Sequence, residues 1–276
     1  MSDPDWRTLN RANWDERVGL HLANPVLHYN QTALRAGTAR LGPITSNVLG
    51  PVAGKKILHL QCHFGMDSLV LAQQGADVTG LDFSRPAIEA ARLLAADLGL
   101  TARFIESDLY DAPSAIPEPA SFDRVLVSWG ALCWLPDMAA WARVVAHFLK
   151  PGGWLALAEA HPAAYVFDDE TATPDGMPGW FAPYLGREQH VYENAQDYAN
   201  PDTPLRNTRT CEWLHPLSDV IGELLNAGLR LDAFHEHDTI SWRMFARLVE
   251  APNGGHRWPD KPWLPLSYSL RAGKPG

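Results

Sequence analysis

Cysteine is scarce in this chain: Cys62, Cys133 and Cys211 are the three among 276 residues, and no two are close in sequence. That scarcity argues against a disulfide framework and a structural zinc site, and it points to a reducing compartment. Basic residues are in deficit as well. Lys and Arg number 23 against 32 acids, for a formal charge of -9. With no basic stripe to offset that charge, phosphate backbones would be repelled, and nucleic acid is not an expected partner. No apolar run approaches the roughly 20 residues that span a bilayer, and the opening "MSDPDWRTLN" carries acids where a leader would carry bases. A cytoplasmic location without a membrane partner is therefore expected. Internal repeats and low-complexity tracts are also missing.

What is present is a regular alternation of strand-length apolar runs with helical stretches, the pattern of parallel strands joined by crossover helices. The length suits one large domain with insertions. "KILHL" reads as a first strand, and a helix from about Asp67 to Gln74 follows. "DVTGLDF" is a second strand. The next helix, "RPAIEAARLLAADLG", has Ser84 as its cap, Pro86 in its first turn and Gly99 at its end. "ARFIESD" and "FDRVLVSW" supply strands three and four. "MAAWARVVAHFLK" is a helix stopped by "PGG", and "WLALAEA" is the fifth strand.

From His161 to Trp213 prolines break the regularity repeatedly, yet Tyr165, Phe167, Trp180, Phe181, Tyr184, Tyr192 and Tyr198 offer too much apolar surface for a solvated tether. An ordered insertion covering a pocket is expected. Ser218 then reads as the cap of a helix ending at Gly228, a sixth strand follows, and "LPLSYSLRA" alternates like a last strand.

The loop after the first strand separates two nucleotide-binding designs. A dinucleotide loop needs glycine at three positions so that backbone can approach a pyrophosphate, and those positions hold Gln61, His63 and Met66. An NAD-dependent oxidoreductase is thereby disfavoured. In a GxGxG loop the third glycine falls on Gly65, which is present. "ILHLQCHFG" is similar, position for position, to the "VLDLGCGTG" of S-adenosylmethionine-dependent methyltransferases of the Rossmann-like class I, with Gln61 and His63 in place of two glycines and His59 in place of an acid. The variant resembles a bacterial branch of that family carrying "LHLQCHFG". "FDRVLVSWGALCWLPD" and "LKPGG" resemble the family's later motifs, and the resemblance covers about Lys55 to Glu159.

The resemblance implies an α/β fold, a Rossmann-like three-layer sandwich around a mostly parallel seven-stranded sheet with an antiparallel last strand. It implies a helical lid over residues 1–50 and a methyltransferase domain over 51–276 with the aromatic insertion at about 162–212. The implied cofactor is S-adenosyl-L-methionine, leaving as S-adenosyl-L-homocysteine, and the implied partner is a small-molecule methyl acceptor. Asp82, 22 residues after Leu60, would accept the ribose hydroxyls. Phe83 would flank the adenine, Asp108 and the Leu109 amide would meet its edge, and Ser128, Trp129 and Gly130 would line the methionine end with Gln61, His63 and Gly65. Trp14 and Arg17 are lid candidates for the cofactor. Tyr29, Trp134, His161, Tyr165 and Trp180 are candidates for the acceptor pocket, with His161 as a general base.

Plainer readings stand beside these. Asp82 could cap the helix after it, Asp108 could be a turn acid, and His63 could be a surface loop residue. His59 reads as a hydrogen-bonded core histidine, and His161 could cap the turn before Pro162. His235 and His237 share a strand face but lack a partner cluster, so no metal is expected. A protein that binds the cofactor without catalysing remains the alternative to an enzyme.

Overall fold

The computed structural model describes residues 5–23, 31–200, 202–252 and 254–276. Three helices come first: α1 (Trp6–Ala23), α2 (Gln31–Arg35) and α3 (Pro43–Leu49). Then follow β1 (Lys56–Leu60), α4 (Met66–Gln73), β2 (Asp77–Asp82), α5 (Arg85–Asp97), β3 (Ala102–Glu106), α6 (Ala112–Ala115), β4 (Phe122–Ser128), α7 (Met138–Phe148) and β5 (Leu149–Ala160). The insertion holds β6 (Phe167–Asp168) paired with β7 (Gly179–Trp180), and a hairpin of β8 (His190–Glu193) and β9 (Arg209–Glu212). After α8 (Leu217–Asn226) come β10 (Arg230–His237), the short β11 (Thr239–Ile240), β12 (Val249–Glu250) and β13 (His256–Arg257), and finally β14 (Ser267–Gly273).

The main sheet has seven strands in the order β10-β14-β5-β4-β1-β2-β3. β1 to β5 are parallel, and β14 runs antiparallel to both its neighbours, so the expected Rossmann-like sheet with an antiparallel last strand is what forms. Period-two alternation sorts side chains to its two faces. Leu58, Leu60, Val125, Val127, Leu155 and Leu157 pack with α7 and α8 on one side. Ile57, Val78, Phe104, Leu126 and Ala156 pack with α3, α4 and α5 on the other. Both faces are covered, which is why these strands read as continuous apolar runs.

The helix ends follow local chemistry. Ser84 accepts from the Ala87 amide at 3.3 Å, as its cap position requires, and Asp137 caps α7 by accepting from Ala140 at 2.8 Å. Two expectations are corrected. Ser218 does not cap α8: Pro216 occupies the cap position, and the Ser218 hydroxyl lies in the first turn, bonded to Asp219 at 3.3 Å. "PGG" does not itself stop α7, which ends at Phe148. Leu149 already pairs with Phe122, and the glycines form a bulged start to β5 before Trp154 pairs with Arg124.

Candidate functional site

In a parallel sheet the strand order reverses between β1 and β4, and the loops leaving the carboxyl ends of these strands diverge there to open a crevice. The loop after β1 is built as a glycine loop although two of its three key residues have side chains. Gln61, His63 and Gly65 have φ of 56°, 50° and 77°, all left-handed. Each non-glycine residue held there costs roughly 1–2 kcal/mol, so surrounding bonds must hold the turn. The Cys62 amide donates to Leu81 at 2.9 Å, the His63 amide to Asp82 Oδ2 at 2.8 Å, and Gln61 Nε2 to the Ala131 carbonyl at 2.9 Å. Gly65 cannot be replaced in the same way, because a Cβ there would lie 2.6 Å from Phe104 Cε1.

Asp82, at the end of β2, is buried and has two duties already. Its Oδ2 receives the His63 amide and its Oδ1 the Ser84 amide at 2.9 Å, so the plainer reading as a local cap is part of the truth. A carboxylate has about four acceptor positions, so roughly two remain. Burial pushes its carboxyl up to about 6, against the pull of the backbone amides, and Asp15 on α1 adds to the rise. Gln61 Oε1 and Asp15 Oδ1 are also buried without a hydrogen-bond partner among the described residues. The cleft that Asp82 and Gln61 line is therefore rich in acceptors and short of donors. A ligand that brings hydroxyl, amino or ammonium donors meets that need.

Phe83, Asp108, Leu109 and Trp134 line the same cleft, a narrow groove that opens partly to solvent. Its far wall comes from the amino-terminal segment, through residues other than Trp14 and Arg17. Trp6, Arg7 and Asn10 of α1 lie across the opening. Arg7 Nε donates to Asp108 Oδ2 at 3.0 Å while the Tyr110 amide occupies Oδ1 at 2.9 Å, and Arg11 stands 5.7 Å over the Phe83 ring. Trp14 is edge-on to both His63 and Trp134, at 5.4 and 5.3 Å.

A buried polar chain fastens this roof. His63 Nε2 lies 2.9 Å from His21 Nδ1, and His21 Nε2 lies 3.0 Å from Asp197 Oδ2, which also receives Arg17 at 2.8 Å. A proton order with His63 donating to His21 and His21 to Asp197 satisfies all three groups. Burial, then the His21 ring, hold the His63 imidazole well below its ordinary range. Burial works against the Asp197 charge, but the bond from His21, the Ala199 amide and Arg17 outweigh it and hold the carboxyl down. His63 is thus tied into a network and is not a solvent-facing loop residue.

The loop after β4 has its own anchor. Glu159, buried near the end of β5, accepts from the amides of Gly130, Ala131, Leu132 and Ala160 at 2.5, 2.7, 3.2 and 2.8 Å. Gly130 is left-handed at φ 71°, and Trp129 beside it at 49°. The Trp129 ring points away from the cleft, donating to Thr45 at 2.9 Å and meeting Trp242 edge-on at 6.1 Å. Ser128 Oγ lies 3.4 Å from His59 Nε2, whose Nδ1 lies 2.9 Å from Ser68 Oγ. Burial holds His59 down to about 4, in keeping with a neutral core histidine.

The acceptor-pocket candidates do not converge. His161 lies behind β5, with Nδ1 accepting from the Ala163 amide at 3.1 Å, Nε2 3.0 Å from Glu236, and its ring edge-on to Tyr268. That is a turn-capping geometry: Nδ1 faces the Ala163 amide and Nε2 faces Glu236, and neither residue lines the cleft. Trp180 is 77% exposed against Phe167 on the outer surface. Tyr165 is partly buried near Cys133 and Glu159. Tyr29 lies outside the described residues. His235 and His237 stand 6.5 Å apart, His237 is bonded to Ser269, and among the described residues no group of three potential ligands could hold a metal. Nor is any described helix long and apolar enough to cross a membrane.

Comparison with known proteins agrees with this fold. The family described as "Methyltransferase domain" matches residues 57–153, which is β1 through the start of β5. A ubiquinone biosynthesis O-methyltransferase of Ralstonia nicotianae is 33% identical over 117 residues, 42% of this chain and 48% of that protein. The chain thus spans about half the length of that relative. The protein of the same name from Xanthomonas euvesicatoria pv. vesicatoria is 29% identical over 83% of this chain and 79% of its own length. Among solved structures, an S-adenosylmethionine-dependent methyltransferase of Mesorhizobium loti superposes with a TM-score of 0.58 at 21% identity, covering 84% of this chain and 96% of that one.

Proposed function

We propose that this chain is a methyltransferase that binds S-adenosylmethionine in the cleft between β1, β2 and β4 and methylates a small organic acceptor. The observation that carries the reading is the acceptor-rich wall: buried Asp82 with spare lone pairs, beside Gln61 Oε1. The ribose hydroxyls, the adenine amino group and the methionine ammonium of this cofactor are donors of the required kind. When bound, the cofactor supplies an electrophilic methyl on a sulfonium, so that positioning the acceptor in line contributes much of the rate.

The chain's residues divide the remaining work. Asp82 holds the ribose, and Phe83 offers a ring face to the base. Asp108 and the Leu109 amide lie at the base edge, where Arg7 competes for one Asp108 oxygen. Gln61, His63 and Gly65 form the turn beneath the methionine end, with Ser128 and Gly130 opposite. Trp14, Trp134 and α1 exclude water from above, and Arg17 fixes Asp197 in the roof. A small acceptor fits this enclosure better than a polymer does, because α1 and the β8/β9 hairpin close the approach.

Calorimetry with S-adenosylhomocysteine tests the reading. Binding is expected, and Asp82→Ala should weaken it roughly ten to a hundredfold, the worth of a charged hydrogen bond of about 1.5–3 kcal/mol. A folded protein that ignores the ligand, or a variant with undiminished affinity, would overturn the cofactor placement.

A further inference from the structure

Transfer to a protic acceptor needs a group that can take a proton, and with His161 occupied elsewhere the candidates are few. The β8/β9 hairpin presents one face inward. His190 pairs with Glu212 and Tyr192 with Thr210 in register, so these four side chains share that face. The Trp213 amide donates to the Cys133 carbonyl at 2.8 Å, which pins the end of β9 beside Trp134, a wall of the cleft. Glu212 thereby precedes Trp213, which is tied to the residue before Trp134, and around it stand Cys133 from the loop after β4, Tyr165 from the turn after β5, Tyr192 and His190 from β8, and Arg17 from α1.

Two glutamates, Glu159 buried and Glu212 partly buried, stand near this face of the hairpin, and their bonding distinguishes them. Glu159 is saturated by four backbone amides and has little capacity left for a substrate proton. Glu212 receives only the Thr210 hydroxyl, at 3.3 Å on Oε1. Across the hairpin, His190 Nε2 is buried with no hydrogen-bond partner. Cys133 and Tyr165 are pushed well above their ordinary ranges, by burial first and by neighbouring acids second, so both remain protonated and cannot serve as bases.

We propose that Glu212 is the general base of the transfer, acting on a hydroxylated aromatic acceptor held between the inner face of the hairpin and the loops after β4 and β5. This rests on the methyltransferase reading above. The Glu212 carboxylate takes the acceptor's O–H proton as the oxygen forms a bond to the methyl carbon of a sulfonium donor. The electron pair of the breaking C–S bond stays on sulfur, which leaves as a neutral thioether, and Glu212 returns its proton to solvent. Burial raises its carboxyl to about 7, with the Thr210 bond and Arg17 opposing, and a base poised there is matched to a phenolic proton. The rings of His190 and Tyr192, near-parallel neighbours on β8 with centroids 6.2 Å apart, give this face an aromatic surface on which an aromatic guest could stack.

The test uses the full chain, S-adenosylmethionine labelled in its methyl group, and the small-molecule extract of cells lacking the protein. Wild type should label a component, with a rate that falls on the acid side of an inflection near 7. Glu212→Gln should lower the rate about a hundredfold or more and abolish that acid limb, Glu212→Asp should restore part of it, and S-adenosylhomocysteine affinity should stay within about twofold in both. Undiminished labelling by Glu212→Gln, a reduced rate with the limb unmoved, or a parallel loss of S-adenosylhomocysteine affinity overturns the assignment. If the wild type labels nothing, it is the methyl-transfer reading that fails, and the assignment falls with it.

Discussion

The floor of the cleft and its roof are held together by different kinds of bond. In the floor the contacts are short in sequence: His63 to Asp82 spans 19 residues and Gly130 to Glu159 spans 29, each a backbone amide on a buried carboxylate. In the roof they are long. Asn10 exchanges two hydrogen bonds with the Cys211 backbone across 201 residues, both at 2.8 Å, and Glu16 accepts from the Arg206 and Asn207 amides. The floor is set once the sheet forms, whereas the roof depends on two distant segments meeting over it. A site assembled this way can keep its floor while its roof varies.

Breaking the floor should have the largest effect. Gly65→Val places a branched side chain at φ 77° with its Cβ 2.6 Å from Phe104 Cε1, and Ala91 is the next neighbour at 3.1 Å. Overpacking and left-handed strain together should cost roughly 3 kcal/mol or more, read as a lower urea midpoint and lost S-adenosylhomocysteine binding. A variant that unfolds at the wild-type midpoint would show that the loop can relax and that the floor is softer than drawn.

The roof has a comparable effect only at the right pH. Glu212 has a folded value of about 7 against an ordinary 4.5. Between those values the folded chain binds more protons than the unfolded one, so stability falls as pH rises through this window, and the loss is complete above it. Glu212→Gln removes the penalty. It should stabilise the protein by at most about 3 kcal/mol at pH 8 and by little near pH 5, measured as the difference in denaturant midpoint. Equal shifts at both pH values would mean that Glu212 is not desolvated.

How much of this the sequence reveals follows the same division. "LDFSRP" names Asp82 and the Ser84 cap because both act on their own neighbourhood, and "VLVSWG" ends where the chain turns left-handed. The parallel core is legible for the same reason: β1, β2, β3 and β4 are each followed by a helix. Arg7 on Asp108, Asn10 on Cys211 and Arg17 on Asp197 leave no local trace, since each joins residues at least 101 positions apart. Glu159 had a signal, an acid inside the apolar run "WLALAEA", and such a residue asks where its donors come from. His161 misled because a histidine after a strand end reads alike whether it faces the cleft or caps a turn. Only the Ala163 amide on Nδ1 and Glu236 on the other nitrogen distinguish the two.

Asn10→Ala should separate roof from floor with a smaller effect. Losing two buried hydrogen bonds leaves the Cys211 amide and carbonyl without partners, at a cost of roughly 1–3 kcal/mol. Amide hydrogen exchange should rise along Arg209–Glu212 and in α1 while protection in β1, β2 and β4 stays unchanged. Equal deprotection of the sheet would show that the two regions unfold as one unit.

The smallest effect belongs to the loop's own departure from glycine. Gln61 at φ 56° carries a left-handed cost of roughly 1 kcal/mol or more, offset by the bond from its Nε2 to the Ala131 carbonyl, worth about 1 kcal/mol. Gln61→Gly relieves the first and removes the second, while the greater freedom of glycine in the unfolded chain takes back roughly another 0.5–1 kcal/mol. The net change in stability should lie within about 1 kcal/mol of zero. Ligand affinity should not share that neutrality, because Gln61 also presents the unpartnered Oε1 to the cleft. If Gln61→Gly leaves both stability and S-adenosylhomocysteine affinity unchanged, the side chain only fills space. If stability holds while affinity drops severalfold, the residue is retained for the donor it accepts, and the backbone strain is compensated by the ligand.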